Sequence, residues 1–157
     1  MRKYVYAIIF ALLLTLPIFA QNKPLSDKDF VMGPFTLGKQ YNEQDAKKIF
    51  GKIKTDSIHD NKSSRTIKFE KGMIITIKSN EAIVAISNES KALSTARGLR
   101  IGDTTHRLFE LYDKPDTMEK DGEFIVVYDW DYGQKVLAVK TEKSIIVSII
   151  MYWHNGQ

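Results

Sequence analysis

The chain has 157 residues, 23 of them Lys or Arg and 19 Asp or Glu, and it contains no cysteine. This length supports one domain with a core of its own, and the missing cysteine excludes disulfides and thiolate metal sites. A formal charge of +4 with no clustered basic stripe gives no signature of nucleic-acid binding.

At the N-terminus, Arg2 and Lys3 precede an almost wholly apolar run from Tyr4 to Phe19, and Pro17-Ile18-Phe19-Ala20 before Gln21 reads as a signal-peptidase site. Residues 1–20 are therefore expected to be a signal peptide cleaved after Ala20, which makes the mature chain extracytoplasmic, either periplasmic or secreted. Its loss leaves 21 basic residues against 19 acidic ones. Left uncleaved, the segment would be a membrane anchor, although it falls short of the ~20 residues of a comfortable span. Membrane contact is expected only in that case.

The first unit is read as residues 21–90. Asn42 can cap a helix whose apolar face is Ala46, Ile49 and Phe50, at the i, i+3, i+4 spacing, with Gly51 as its stop. Asp56 to Ser64 reads as a polar loop. Arg65 to Glu70, Met73 to Lys78 and Ala82 to Ser87 then read as strands, separated by the turn-like EKG and SNE. The polar stretch SNESKALSTARG, residues 87–98, reads as a link.

The second unit is read as residues 91–157. Asp103 or Thr104 can cap a short helix with Leu108, Leu111 and Tyr112 on one face, ended by Pro115. Glu123 to Asp131, Gln134 to Lys140 and Ser144 to Trp153 read as strands, separated by DYG and TEK. Ala46, Ile49 and Phe50 precede Leu108, Leu111 and Tyr112 by 62 positions. IITIK (74–78) precedes VLAVK (136–140) by 62, and IVAI (83–86) precedes IVSI (146–149) by 63. Blocks recurring in order at one offset read as two copies of one unit. The expected fold is thus α+β, two tandem repeats, each a short helix packed on an antiparallel meander of three to four strands. Helices on one sheet face would leave the other face partly open.

The pattern of Ile-Gly-Asp-Thr, a short helix ending before Pro-Asp, and then aromatic strands resembles the SmpA/OmlA-type domain of small outer-membrane assembly lipoproteins. The tandem arrangement resembles the β-lactamase inhibitory proteins. The likeness covers Gly33 to Trp153 loosely and Leu99 to Tyr132 best. It implies an exported, noncatalytic module that grips another protein with an aromatic-rich sheet face. The chain departs from these families in lacking a lipobox cysteine and disulfides, and in having Ile53 where the second copy has Pro115. The binding mode is carried over, and β-lactamase as a target is not.

Alternation along FIVVYDWDYG puts Tyr128, Trp130 and Tyr132 on one strand face and Asp129 and Asp131 on the other. With Phe69, Tyr152 and Trp153, the three rings form the candidate partner-binding set, since Tyr and Trp dominate protein interfaces. The same rings would equally suit a core face beneath the helix. Asp129 and Asp131 could instead serve a small hydrolase, and a membrane-anchored structural role is the other alternative. His59, His106 and His154 lack paired-ligand spacing, and no nucleophile, base and orienter can be assembled. No catalytic residue, metal or cofactor is therefore expected, and the expected partner is another protein.

Overall fold

Each helix begins where a side-chain oxygen replaces the missing carbonyl partners of the first turn. Asn42 Oδ1 accepts from the amides of Gln44 and Asp45 to start α1, Glu43–Phe50. Thr104 Oγ1 accepts from the Arg107 amide to start α2, Thr105–Tyr112. Asp103 does not cap the helix; its carboxylate accepts from the Arg100 amide and closes the turn before it. The computed structural model describes residues 24–59, 63–113, 115–121, 123–130 and 134–154. The expected signal peptide, residues 1–20, lies outside them. Among the described residues no helix is long and apolar enough to cross a membrane.

The helices end differently. At α1 the cap is Gly51 at φ +78°, a conformation that costs glycine little. At α2 the cap is Asp113 at φ +63°, a residue with a Cβ in the left-handed region and a negative charge at the negative end of a helix. Asp113→Gly should therefore stabilise the protein by about 1 kcal/mol. Its urea midpoint should rise while Gly51→Asp lowers it.

Ten strands are described: β1 Val31–Met32, β2 Phe35–Thr36, β3 Ile53–His59, β4 Ser64–Phe69, β5 Met73–Lys78, β6 Ile83–Asn88, β7 Thr117–Asp121, β8 Glu123–Trp130, β9 Lys135–Glu142 and β10 Ile145–Trp153. The first two form a small hairpin. The other eight make one antiparallel sheet in the order β3-β4-β5-β6-β10-β9-β8-β7. Each half of the sheet is a meander that follows a helix, starts at an outer edge (β3 or β7) and runs inward, so that the halves meet through their last strands, Ile86 opposite Met151 and Ser87 opposite Ile150.

Hydrogen bonds recur on both sides of this join. The Gly38 amide donates to the Ile83 carbonyl and the Gly102 amide to that of Ile146; the Tyr41 amide donates to Glu81 and the Thr105 amide to Ser144. In both halves, the loop before the helix is sewn onto the start of the last strand.

Two expectations need correction. The stretch from Asp56 onward was expected to be a loop, but Ile53–His59 is an edge strand paired along β4. An edge strand exposed on most positions has no apolar alternation to announce it. Its charges also discourage further pairing. Arg65 reinforces it by donating from Nε and Nη2 to both carboxylate oxygens of Asp56, at 2.8 and 2.6 Å, and from Nη2 to Glu43 on α1 at 3.2 Å. Residues 87–98 are likewise more than a link. Asn88, Leu93 and Thr95 are buried, Thr95 bridges Met32 of β1, and the Ala96 amide donates to Val31.

Both helices lie over the same sheet face. A cross-strand row of Ile67, Ile75, Ile86, Met151, Leu137 and Tyr128 runs through this face, and every member is buried. Phe50 of α1 packs on Phe69 with ring centres 5.9 Å apart. Sixty-two residues later, Tyr112 of α2 packs on Tyr128 at 5.6 Å. The β1–β2 hairpin fills the same layer with Met32 and Phe35.

Candidate functional site

Strand alternation fixes which side chains remain on the uncovered face. Thr66 is opposite Thr76, Thr76 opposite Ala85, Ala85 opposite Tyr152, Tyr152 opposite Val136, and Val136 opposite Asp129. The neighbouring row on that side is Lys68, Ile74, Ser87, Ile150, Ala138 and Val127. Small residues at the centre of both rows, Ala85, Ser87 and Ala138, give this face a low floor. Tyr152, Ile74 and Ile150 stand around it.

At the β4–β6 end, where Tyr152 meets the turns, the floor deepens into a cavity of about 650 Å³. Ser64 and Thr76 line it from β4 and β5, Ser63 and Ser79 from the turns, and Tyr152, Trp153 and His154 from the end of β10. The rim is held by backbone bonds: the Ser79 amide donates to Ser63 at 3.0 Å, and the His154 amide to Gln134 at 2.7 Å. The Tyr152 and His154 rings meet edge to face, 4.9 Å between centres and 85° between planes. Thr76 shares its hydroxyl with that of Thr66 at 3.2 Å.

The six expected contact residues are divided between the two faces. Phe69 is 1% exposed and Tyr128 3%, so both are core residues and neither can meet a partner. The Tyr128 hydroxyl donates to the Asp113 carbonyl at 3.0 Å, and burial pushes its pKa up, with Asp113 adding to the effect. The reason is register: Tyr128 lies opposite Leu137, on the face that α2 covers.

Trp130 and Trp153 lie on that same side, flanking Lys135, which is their cross-strand neighbour in both directions. The Lys135 ammonium sits 5.1 Å from the Trp130 ring centre, 5.3 Å from Trp153 and 5.8 Å from Phe30, and it also pairs with Asp27. Cation–π attraction of this kind strengthens as the cation is desolvated. Both indoles are therefore committed chiefly to holding the N-terminal turn, although Trp153 also borders the cavity. Tyr132 and Asp131 lie outside the described residues. Of the six, Tyr152 is the one whose strand position places it on the uncovered face, at the cavity. Asp129 is exposed in the same row and is not among the residues lining the cavity.

Sequence reasoning missed the hydroxyl-rich rim because Ser63 and Ser79 lie in turns and Ser64 at the very start of β4. Only the pairing of β4 with β5 brings them together. His106 is exposed on α2, its Nε2 3.4 Å from a Glu110 carboxylate oxygen.

No protein-family model matches the sequence, and no curated protein matches it. Among solved structures, an extracellular protein containing a SCP domain from Bacillus anthracis aligns over 88% of this chain and 51% of its own length, with 6% identity and a TM-score of 0.53. A cysteine-rich secretory protein from Staphylococcus aureus aligns over 76% of this chain and 45% of its own, at 16% identity and TM-score 0.47. A DUF4309 family protein from Bacillus subtilis aligns over 76% of this chain and 82% of its own, at 13% identity and TM-score 0.47. The chain thus spans about half the length of the first two proteins. The first of them shares the fold.

Proposed function

We propose that this chain is an exported, noncatalytic module that binds another protein through the uncovered face of its eight-stranded sheet. The observation that carries the reading is the one-sided burial of the sheet. One face is sealed by two helices and a hairpin, while the other presents a low floor with Ile74, Ile150 and Tyr152 standing on it. Eight strands at a spacing of about 4.8 Å make a face roughly 34 Å wide. That is room for the ~800 Å² each partner contributes to a stable interface. The leader-like N-terminus supports export, and the extracellular protein that shares the fold fits the same compartment. The SmpA/OmlA-like and inhibitor-like resemblance supports a grip by a sheet face, moved here from Tyr128 to the Tyr152 side.

The test is an affinity capture from periplasm or culture supernatant of the producing cell, using the chain from Gln21 onward. Ile150→Glu and Tyr152→Ala should each lose a partner that the parent retains, while staying folded with a thermal midpoint within a few degrees of the parent's. A partner retained equally by the parent and both variants would place the contact elsewhere and defeat the proposal.

A further inference from the structure

The cavity beside Tyr152 has a chemistry that differs from the floor around it. Its polar lining residues are the hydroxyl-bearing Ser63, Ser64, Thr76, Ser79 and Tyr152 together with Lys78 and His154. Among the described residues no carboxylate lines it. The nearest acid in sequence, Glu81, lines a smaller neighbouring hollow together with Arg65. Lys78 borders both spaces, and among the described residues it forms no ion pair.

From this lining we infer that the cavity is a binding site for an acidic saccharide, a sugar carrying a carboxylate or phosphate group. Three features point that way. The volume, about 650 Å³, lies within the range of small-ligand sites, about 300 to 1,000 Å³. Lys78 and His154 can supply charge-assisted hydrogen bonds, the strong kind, to an oxyanion. The remaining hydroxyls both donate and accept, which matches the bifunctional hydroxyls of a sugar ring. Tyr152, on the uncovered face, adds an aromatic wall with an apolar body and a polar tip, the mixed surface that a pyranose ring presents. The backbone bonds of the rim fix where Ser63, Ser79 and His154 leave the chain before a ligand arrives, which lowers the ordering cost of binding.

This site does not depend on the protein-binding proposal, and its test is separate. The chain from Gln21 onward, which holds every described residue, is titrated with glucuronate, with glucose 6-phosphate and with neutral maltose. Calorimetry and tryptophan emission report binding. Trp153 lines the cavity and the sequence has only one other tryptophan, Trp130. A saturable response to either acidic sugar, at least tenfold tighter than to maltose, is the expected result. Which of the two it is identifies the acidic group. Lys78→Ala should weaken that response about tenfold and His154→Gln several-fold. Lys78→Gln repeats the charge loss with the side-chain length kept, in case the alanine variant unfolds. Absence of saturation by both acidic sugars at about 10 mM would overturn the site. So would equal binding of maltose, or an acidic-sugar affinity that neither Lys78 variant changes.

Discussion

Replacing Tyr128 by alanine should destabilise the protein by about 3–5 kcal/mol, the usual cost of emptying a buried aromatic position. The ring is 3% exposed, lies on Tyr112 with centres 5.6 Å apart, and donates to the Asp113 carbonyl that ends α2. Removing it opens a cavity under the helix and withdraws a hydrogen bond from the helix end at once. Tyr152→Ala, on the other side of the sheet, should cost less, about 1 kcal/mol, since its ring is half-buried rather than enclosed. Urea unfolding of the two variants measures the difference directly. Comparable losses for both would contradict the assignment of faces on which the binding proposal stands.

The second large effect concerns Arg97. Its Nε and Nη2 donate to the two Asp29 oxygens at 2.6 and 2.8 Å, Nη1 donates to the Leu111 carbonyl at 3.0 Å, and Nη2 to Pro24 at 2.7 Å. The guanidinium also lies 4.8 Å from the centre of the Tyr112 ring. A single side chain thus ties the N-terminal turn to the end of α2. Removing one member of a largely buried pair leaves the other charge without compensation, so Arg97→Met should cost about 3–5 kcal/mol. Arg97→Met combined with Asp29→Leu should recover part of that loss, because no orphan charge remains. Burial pulls the Asp29 carboxyl upward, but Arg97 and the hydrogen bonds from Ser26 outweigh it and hold the group below its ordinary range. A depressed folded-state value means a stabilisation that is complete above about pH 4 and is lost as pH falls through the lower folded value. The parent should therefore lose stability in acid more steeply than the double variant.

The elements carrying apolar periodicity were legible from sequence to within one or two residues, apart from the longer reach of β9. Both helices, the Asn42 cap and Gly51 stop, and strands β4, β5, β6, β8, β9 and β10 follow from spacing alone. What periodicity could not reveal was β3, whose partners are backbone groups and an arginine fork. The same holds for β1 and β2, two residues each, which form because Met32 and Phe35 fill space over the sheet. The site was half legible. Alternation correctly grouped Tyr128 with Trp130 and separated both from Asp129, but it says nothing about which face a helix will cover. That choice depends on both helices landing on one side, a tertiary fact. Alternation puts Tyr152 and Trp153 on opposite faces, so one of the two had to be on the uncovered face, but it does not say which. The turn serines of the cavity rim could not be singled out, since turn residues carry no period.

The join between β6 and β10 also governs when the molecule can become whole. The two strands are about sixty residues apart in sequence, and β10 is the last of the described strands. During synthesis, the first half can close its helix over four strands while β6 still presents a bare row of amides and carbonyls. Ile83 and Ile86 are among its side chains. Such an edge invites pairing with whatever strand arrives first, and closing a loop of this length is slow compared with forming a local hairpin. The sheet is vulnerable for as long as β10 is missing, and the arrival of that strand completes the sheet and removes the edge together.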